Sequence, residues 1–168
     1  MGFKPVLVVM GVSGSGKTTV AAMLAGALGV GFLEGDEMHP RTNVEKMKSG
    51  TPLTDADRWP WLGAIAAWIA EHRAAGTTCV VTCSALKRAY RDIVTDAQRA
   101  DVRLVYLKGD FDLIAARLAA RKGHFMPSAL LQSQFDALQE PAPDERAITV
   151  PIDATPQQIA ARVVEELA

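Results

Sequence analysis

Residues 11–18 read Gly-Val-Ser-Gly-Ser-Gly-Lys-Thr, set between the apolar run Pro5-Val-Leu-Val-Val-Met10 and the segment Thr19-Val-Ala-Ala-Met-Leu-Ala-Gly-Ala-Leu-Gly29. Glycines and serines at this density let a backbone bend and approach a ligand without a Cβ in the way. The consecutive N–H groups they free, at the positive end of the helix that follows, suit an anion. Lys17 adds a mobile cation and Thr18 a hydroxyl, which fit the outer phosphates and the magnesium of a nucleotide. The stretch reads as a P-loop, with Gly11, Ser13, Gly14, Ser15, Gly16, Lys17, Thr18 and Thr19 around the phosphates of a bound nucleotide. An ordinary Gly/Ser turn has no reason to end in Lys-Thr, to follow a buried strand or to open an amphipathic helix. The motif defines a ligand class and leaves the reaction open.

Other motifs narrow the reaction. A GTPase needs Asn-Lys-x-Asp, but the sole asparagine, Asn43, is followed by Val-Glu-Lys, and no aspartate has a glycine three positions later. A motor would end a strand with a magnesium-binding aspartate, whereas Cys79-Val-Val-Thr-Cys-Ser84 ends in serine. Transfer of phosphate to a second substrate is left. A kinase needs a carboxylate to orient and deprotonate the acceptor hydroxyl. Glu34 and Asp36, one residue apart at the end of an expected strand, would point to one side of it; as plain loop acids they would simply be solvated. A kinase also needs positive charge on the phosphoryl oxygens and exclusion of water. Arg117, Arg121, Lys122 and His124 surround the end of an expected helix beside Gly123. They read either as a closing lid with a glycine hinge or as cations drawn to a helix C-terminus.

These groups must be held by a scaffold, and the hydrophobic pattern supplies one. Apolar, β-branched runs predict buried parallel strands at Val6–Gly11, Gly31–Asp36, Cys79–Ser84, Val102–Lys108 and Ile148–Ile152. Helical patterns fall at Lys17–Leu28, Asn43–Ser49, Pro60–Ala74, Leu86–Ala97, Phe111–Arg121, Pro127–Leu138 and Pro156–Leu167, the third entered through Asp57 and Pro60. Trp61, Ile65 and Trp68 share a face that reads as core. The alternation predicts an α/β fold, a three-layer doubly wound parallel sheet of about five strands. With 168 residues the chain is expected to be one domain. Its 18 basic and 19 acidic residues give a net charge of −1 with no block of one sign, which points away from nucleic acid. Cys79 and Cys83, about 13 Å apart on one strand, are too distant for a disulfide and read as packing residues in a reducing compartment. The N-terminal apolar run is too short to span a membrane.

The chain resembles the gluconokinase family. The resemblance is carried most specifically by Glu34-Gly-Asp-Glu-Met-His-Pro-Arg-Thr-Asn-Val-Glu-Lys-Met-Lys-Ser-Gly-Thr-Pro-Leu-Thr-Asp-Ala-Asp-Arg-Trp-Pro-Trp-Leu62, through Asp36, His39-Pro40, Asn43, Lys46-Met47, Gly50, Pro52-Leu53, Asp55, Asp57-Arg58 and Pro60-Trp61-Leu62. Cys83–Lys87, Tyr106–Asp112, Arg121–Met126 and Gln134–Pro141 are similar as well. The resemblance implies a P-loop kinase fold with a substrate segment near 36–62 and a short mobile lid near 121–140. It implies ATP-dependent phosphorylation of D-gluconate, with Mg2+, by a cytoplasmic homodimer. Chemistry and resemblance together make Lys17, Asp36 and Arg121 catalytic and give the sugar acid Asp36, His39, Arg58, Lys87, Arg121 and His124. Thr18 and Glu34 go to the metal, Glu34 standing where relatives often carry aspartate. Arg117, Thr155 and Pro156 are expected near adenine, although Thr155-Pro156 reads equally as a helix start. Arg58 grips the substrate carboxylate or merely pairs with Asp55 or Asp57. Shikimate kinase-like chemistry on another small hydroxy acid and a non-catalytic nucleotide-binding module are the alternatives.

Overall fold

Strand β1, Val6–Met10, is buried at every position, which requires partners on both edges and cover on both faces. The computed structural model, which describes residues 5–96, 101–121 and 128–168, supplies both. With β2 (Gly31–Glu34), β3 (Cys79–Thr82), β4 (Val102–Lys108) and β5 (Ile148–Pro151), it forms a five-stranded sheet in the order β2-β3-β1-β4-β5. All pairings are parallel, with Val8 opposite Val81 on one side and Leu104 on the other. The helices are α1 (Lys17–Leu28), α2 (Arg41–Lys48), α3 (Asp55–Ala74), α4 (Arg88–Thr95), α5 (Phe111–Ala120), α6 (Ser128–Ala137) and α7 (Pro156–Leu167).

Strand alternation divides the core in two. Leu7 and Val9 pack with Val20 and Leu24 of α1 and Ile159 and Val163 of α7, while Val6, Val8 and Met10 meet Trp61, Leu62, Ile65 and Ile69 of α3. This is the expected three-layer sheet. Its β1 carboxyl end lies where strand order reverses, the place where ligands of such sheets bind.

Several boundaries differ from the sequence pattern, each for a local reason. Helix α3 starts at Asp55 rather than Pro60: Thr54 Oγ1 accepts from Asp57 N at 3.1 Å and Asp57 Oδ2 accepts from Thr54 N at 2.9 Å, a reciprocal cap that places Pro60 inside the helix. Helix α4 is shorter than expected, because Asp96 is left-handed at its end and Lys87 is extended before it. Strand β2 is an edge strand with Phe32 38% exposed, and β5 alternates buried and exposed; continuous burial holds for β1 and β3 and nearly throughout β4. Cys79 and Cys83 are buried free thiols, and burial pushes both up to about 12. Among the described residues no helix is long and apolar enough to cross a membrane.

Candidate active site

The loop after β1 turns into α1 through Gly16, whose φ of 94° is left-handed and open to glycine without strain. Lys17 follows, its Nζ donating to the carbonyls of Gly11 and Val12 at 3.0 Å each. Burial pushes its pKa below the ordinary lysine value, and the nearby Asp36 opposes that push. Thr18 Oγ1 donates to Glu34 Oε2 at 2.6 Å.

The two acids converge by a route other than the expected strand alternation. Strand β2 stops at Glu34, and Gly35–Met38 is a 3-10 turn. A Cβ on Gly35 would lie 1.9 Å from the Thr82 carbonyl oxygen, so only glycine lets the turn cross β3. Gly35 N donates to Thr82 Oγ1 at 3.1 Å, and Trp61 Nε1 donates to Gly35 O at 2.8 Å. The peptides carrying Glu34 and Asp36 are therefore pinned to β3 and α3. A small cavity of about 140 Å³ collects Lys17, Thr18, Glu34, Asp36 and Arg121. A neighbouring cavity of about 300 Å³ is lined by Asp36, His39, Arg58, Trp61, Lys87 and Tyr90, among others. Ser13, Lys17 and Asp36 line both.

Behind the wall of the larger cavity one carboxylate organises two of the cations that line it. Asp55 Oδ1 lies 3.5 Å from Arg58 Nη1 and 3.5 Å from Lys87 Nζ, and it accepts from the Tyr90 hydroxyl. Arg58 and Lys87 lie 5.5 and 5.6 Å from the Tyr90 ring centroid. The Tyr90 hydroxyl bond leads in holding Asp55 below the usual carboxylate range, and burial followed by Asp55 pushes Tyr90 up to about 12. Arg58 thus pairs with Asp55 and also faces the cavity, while Asp57 is taken by Lys46 at 2.8 Å. His39 stacks on Trp61 with centroids 4.0 Å apart, and its Nδ1 is 3.2 Å from Asn43 Nδ2. Burial pushes its pKa down, which favours the neutral ring.

The phosphate-lid and adenine expectations fare unevenly. Arg121 rims the small cavity, but α5 ends at Ala120 and Arg121 is extended, so it does not continue a helical face with Arg117. Arg117 instead donates to the carbonyl of Ile152. Thr155 caps α7, its Oγ1 accepting from Gln158 N at 3.1 Å, with Pro156 as the first helical residue. None of these three lines either cavity. His124, with Lys122 and Gly123, lies outside the described residues.

Three contributors escaped the sequence reading. Tyr90 lies three positions after Lys87, a helical spacing that could have suggested a shared face. Gln134 accepts from Ser13 N at 2.8 Å and donates to Ser13 Oγ at 3.0 Å, tying α6 to the P-loop. Arg91, fully buried, makes a two-bond pair with Glu145 and donates to the Ala85 and Leu86 carbonyls at 2.9 and 3.2 Å. It thereby braces the loop that presents Lys87.

Among the described residues no group of three or more His, Cys, Asp or Glu could hold a metal by itself. One hydroxyl with neighbouring carboxylates does suit Mg2+, a hard ion that keeps waters and binds largely through substrate phosphates.

A family model described as an AAA domain matches residues 6–142. A gluconokinase of Gluconobacter oxydans is 49% identical, over 99% of this chain and 92% of its own length. The thermoresistant gluconokinase of Escherichia coli is 45% identical, over 95% and 91%. The crystal structure of a gluconokinase from Sinorhizobium meliloti superposes with a TM-score of 0.90 at 42% identity, covering 99% of this chain and 93% of that one. A shikimate kinase from Acinetobacter baumannii reaches a TM-score of 0.57 at 18% identity, a likeness of fold alone.

Proposed function

The chain belongs to the AAA-domain family and to the gluconokinases, and from that premise we propose that it transfers the γ-phosphoryl group of ATP to the 6-hydroxyl of D-gluconate. The observation that carries this reading is the position of Asp36 with Lys17 on the wall shared by two cavities, one beside the P-loop and one lined by paired cations. The small cavity takes the outer phosphates and the larger one the sugar acid.

In this scheme Asp36 orients the acceptor hydroxyl and takes its proton as the new O–P bond forms and the bond to the β-phosphate oxygen breaks. Lys17 and Arg121 stabilise charge on the phosphoryl oxygens. Arg58 and Lys87 meet the substrate carboxylate, whose burial requires a paired cation. Asp55 keeps the two cations together, so the cavity retains one net positive charge for an anionic substrate. Neutral His39, fixed against Trp61, is suited to a sugar hydroxyl rather than to the carboxylate. Magnesium would be held by Thr18 directly and by Glu34 through water, and it neutralises phosphate charge when bound. The family likeness assigns Arg117, Thr155 and Pro156 to adenine and His124 to substrate binding. By the same family likeness the enzyme works in carbohydrate metabolism as a cytoplasmic homodimer.

A coupled assay of ADP release from magnesium ATP tests the proposal with gluconate, shikimate, glucose or no acceptor. Turnover with gluconate alone is expected. Equal turnover with shikimate, or none above the acceptor-free rate, would overturn it.

A further inference from the structure

The hydrogen-bond polarity around Glu34 can be assigned from one unambiguous donor. Gly35 N–H points at Thr82 Oγ1 at 3.1 Å, and a peptide nitrogen can only donate. The Thr82 hydroxyl has a single proton, and that proton goes to Glu34 Oε1. Glu34 Oε2 accepts in turn from Thr18 Oγ1 at 2.6 Å. Thr18, whose own proton is directed at Glu34, therefore keeps both hydroxyl lone pairs for the small cavity that it lines. Thr82 is 1% exposed and sits directly opposite Glu34 in the parallel register of β3 against β2. It touches neither cavity.

We propose that Thr82 is a positioning residue for the metal end of the site, acting through Glu34 to set the direction of the Thr18 hydroxyl. The chain runs from Gly35 N–H to Thr82, from Thr82 to Glu34, and from Thr18 to Glu34. It crosses β2, β3 and α1, so the orientation of one P-loop oxygen is locked by a residue buried in the sheet. The hydroxyl stands at the end of the strand where a motor would carry an acid, and it supports the acid supplied by the adjacent strand. The proposal rests on the nucleotide reading of this site.

The test is the dissociation constant of ADP, measured by calorimetry without acceptor, in the presence of Mg2+ and in the presence of EDTA. Thr82→Val keeps the shape of the side chain and removes the hydroxyl. It is expected to weaken binding of ADP with Mg2+ by about tenfold or more, the usual cost of losing a residue that orients a metal ligand, and to leave the EDTA value within about twofold. Thr82→Ser should restore the magnesium effect. An unchanged magnesium effect in Thr82→Val, or equal weakening with and without Mg2+, would overturn the proposal, the second result marking a merely structural role. If Thr82→Val does not fold, Thr82→Ala makes the same test, since it also removes the hydroxyl and leaves Glu34 in place; a full magnesium effect in that variant would overturn the proposal. Absence of any ADP binding by the unaltered protein would instead overturn the nucleotide reading, and the proposal with it.

Discussion

Asp36 and Arg58 occupy the larger cavity together but differ in what their removal should change. Asp36→Asn keeps the volume and removes the base, so turnover should fall by about a hundredfold or more, with ATP affinity nearly unchanged. Pre-steady-state phosphoryl transfer and nucleotide titration check this separately; a loss confined to ATP binding would make Asp36 a metal ligand instead. Arg58→Met should raise the KM for gluconate by about tenfold or more, the cost of a charge-assisted bond to a buried carboxylate, while the KM for ATP stays near its original value. Asp55 retains Lys87 and Tyr90 in that variant, so the fold should hold. A fall in Tm with both constants moving together would mark Arg58 as purely structural.

Two elements depend on ion pairs of opposite character. The start of α3 is tied to α2 by Lys46, which leads in holding the Asp57 carboxyl down to about 2. The folded value lies below the unfolded value of about 3.9, so this contribution is complete above about pH 4 and is lost as pH falls toward 2. Lys46→Met should therefore melt lower than the parent near neutrality, and the two curves should converge near pH 2, as a series of thermal melts would record. The pair Arg91–Glu145 is buried, with side chains 1% and 0% exposed. Glu145→Gln leaves the guanidinium without its counter-charge, and a loss of about 3 kcal/mol or more is expected in urea unfolding. Because Arg91 braces the Ala85 and Leu86 carbonyls, the KM for gluconate should rise in the same variant.

At the scale of the whole molecule, the two thiols report on global opening. Cys79 and Cys83 lie in the core on the α3 face of the sheet, and burial has raised both to about 12. Neither should react with a thiol reagent faster than the protein unfolds. An ATP analogue present at a hundred times its Kd should slow labelling by about a hundredfold when opening is in equilibrium, because it binds only the folded form. Labelling of native protein at the rate of a free cysteine would show that the segment carrying them, β3 and the residue after it, opens locally.

The sequence by itself determined what short-range physics controls. The P-loop with its strand and helix, the five strands and most helix limits follow from residue spacing and backbone preference over a few positions. The family block from Glu34 to Leu62 and the identity of most cavity residues were legible for the same reason, since motifs are contiguous. Tertiary structure alone decided which side chains meet. Thr82 faces Glu34 across 48 positions, Gln134 reaches Ser13 across 121, and Arg91 meets Glu145 across 54. Periodicity says that a face is buried but not which element covers it, so neither the order β2-β3-β1-β4-β5 nor the exposure of Phe32 on an edge could be read in advance. Arg117 and Arg121 share a helical spacing, yet α5 ends at Ala120, and one meets the Ile152 carbonyl while the other rims the small cavity. Asp55, which the sequence offered with Asp57 as an alternative partner of Arg58, is also shared with Lys87 and Tyr90 because α3 and α4 pack side by side. Contacts of that range depend on how the layers close, and the chain order of the residues does not contain it.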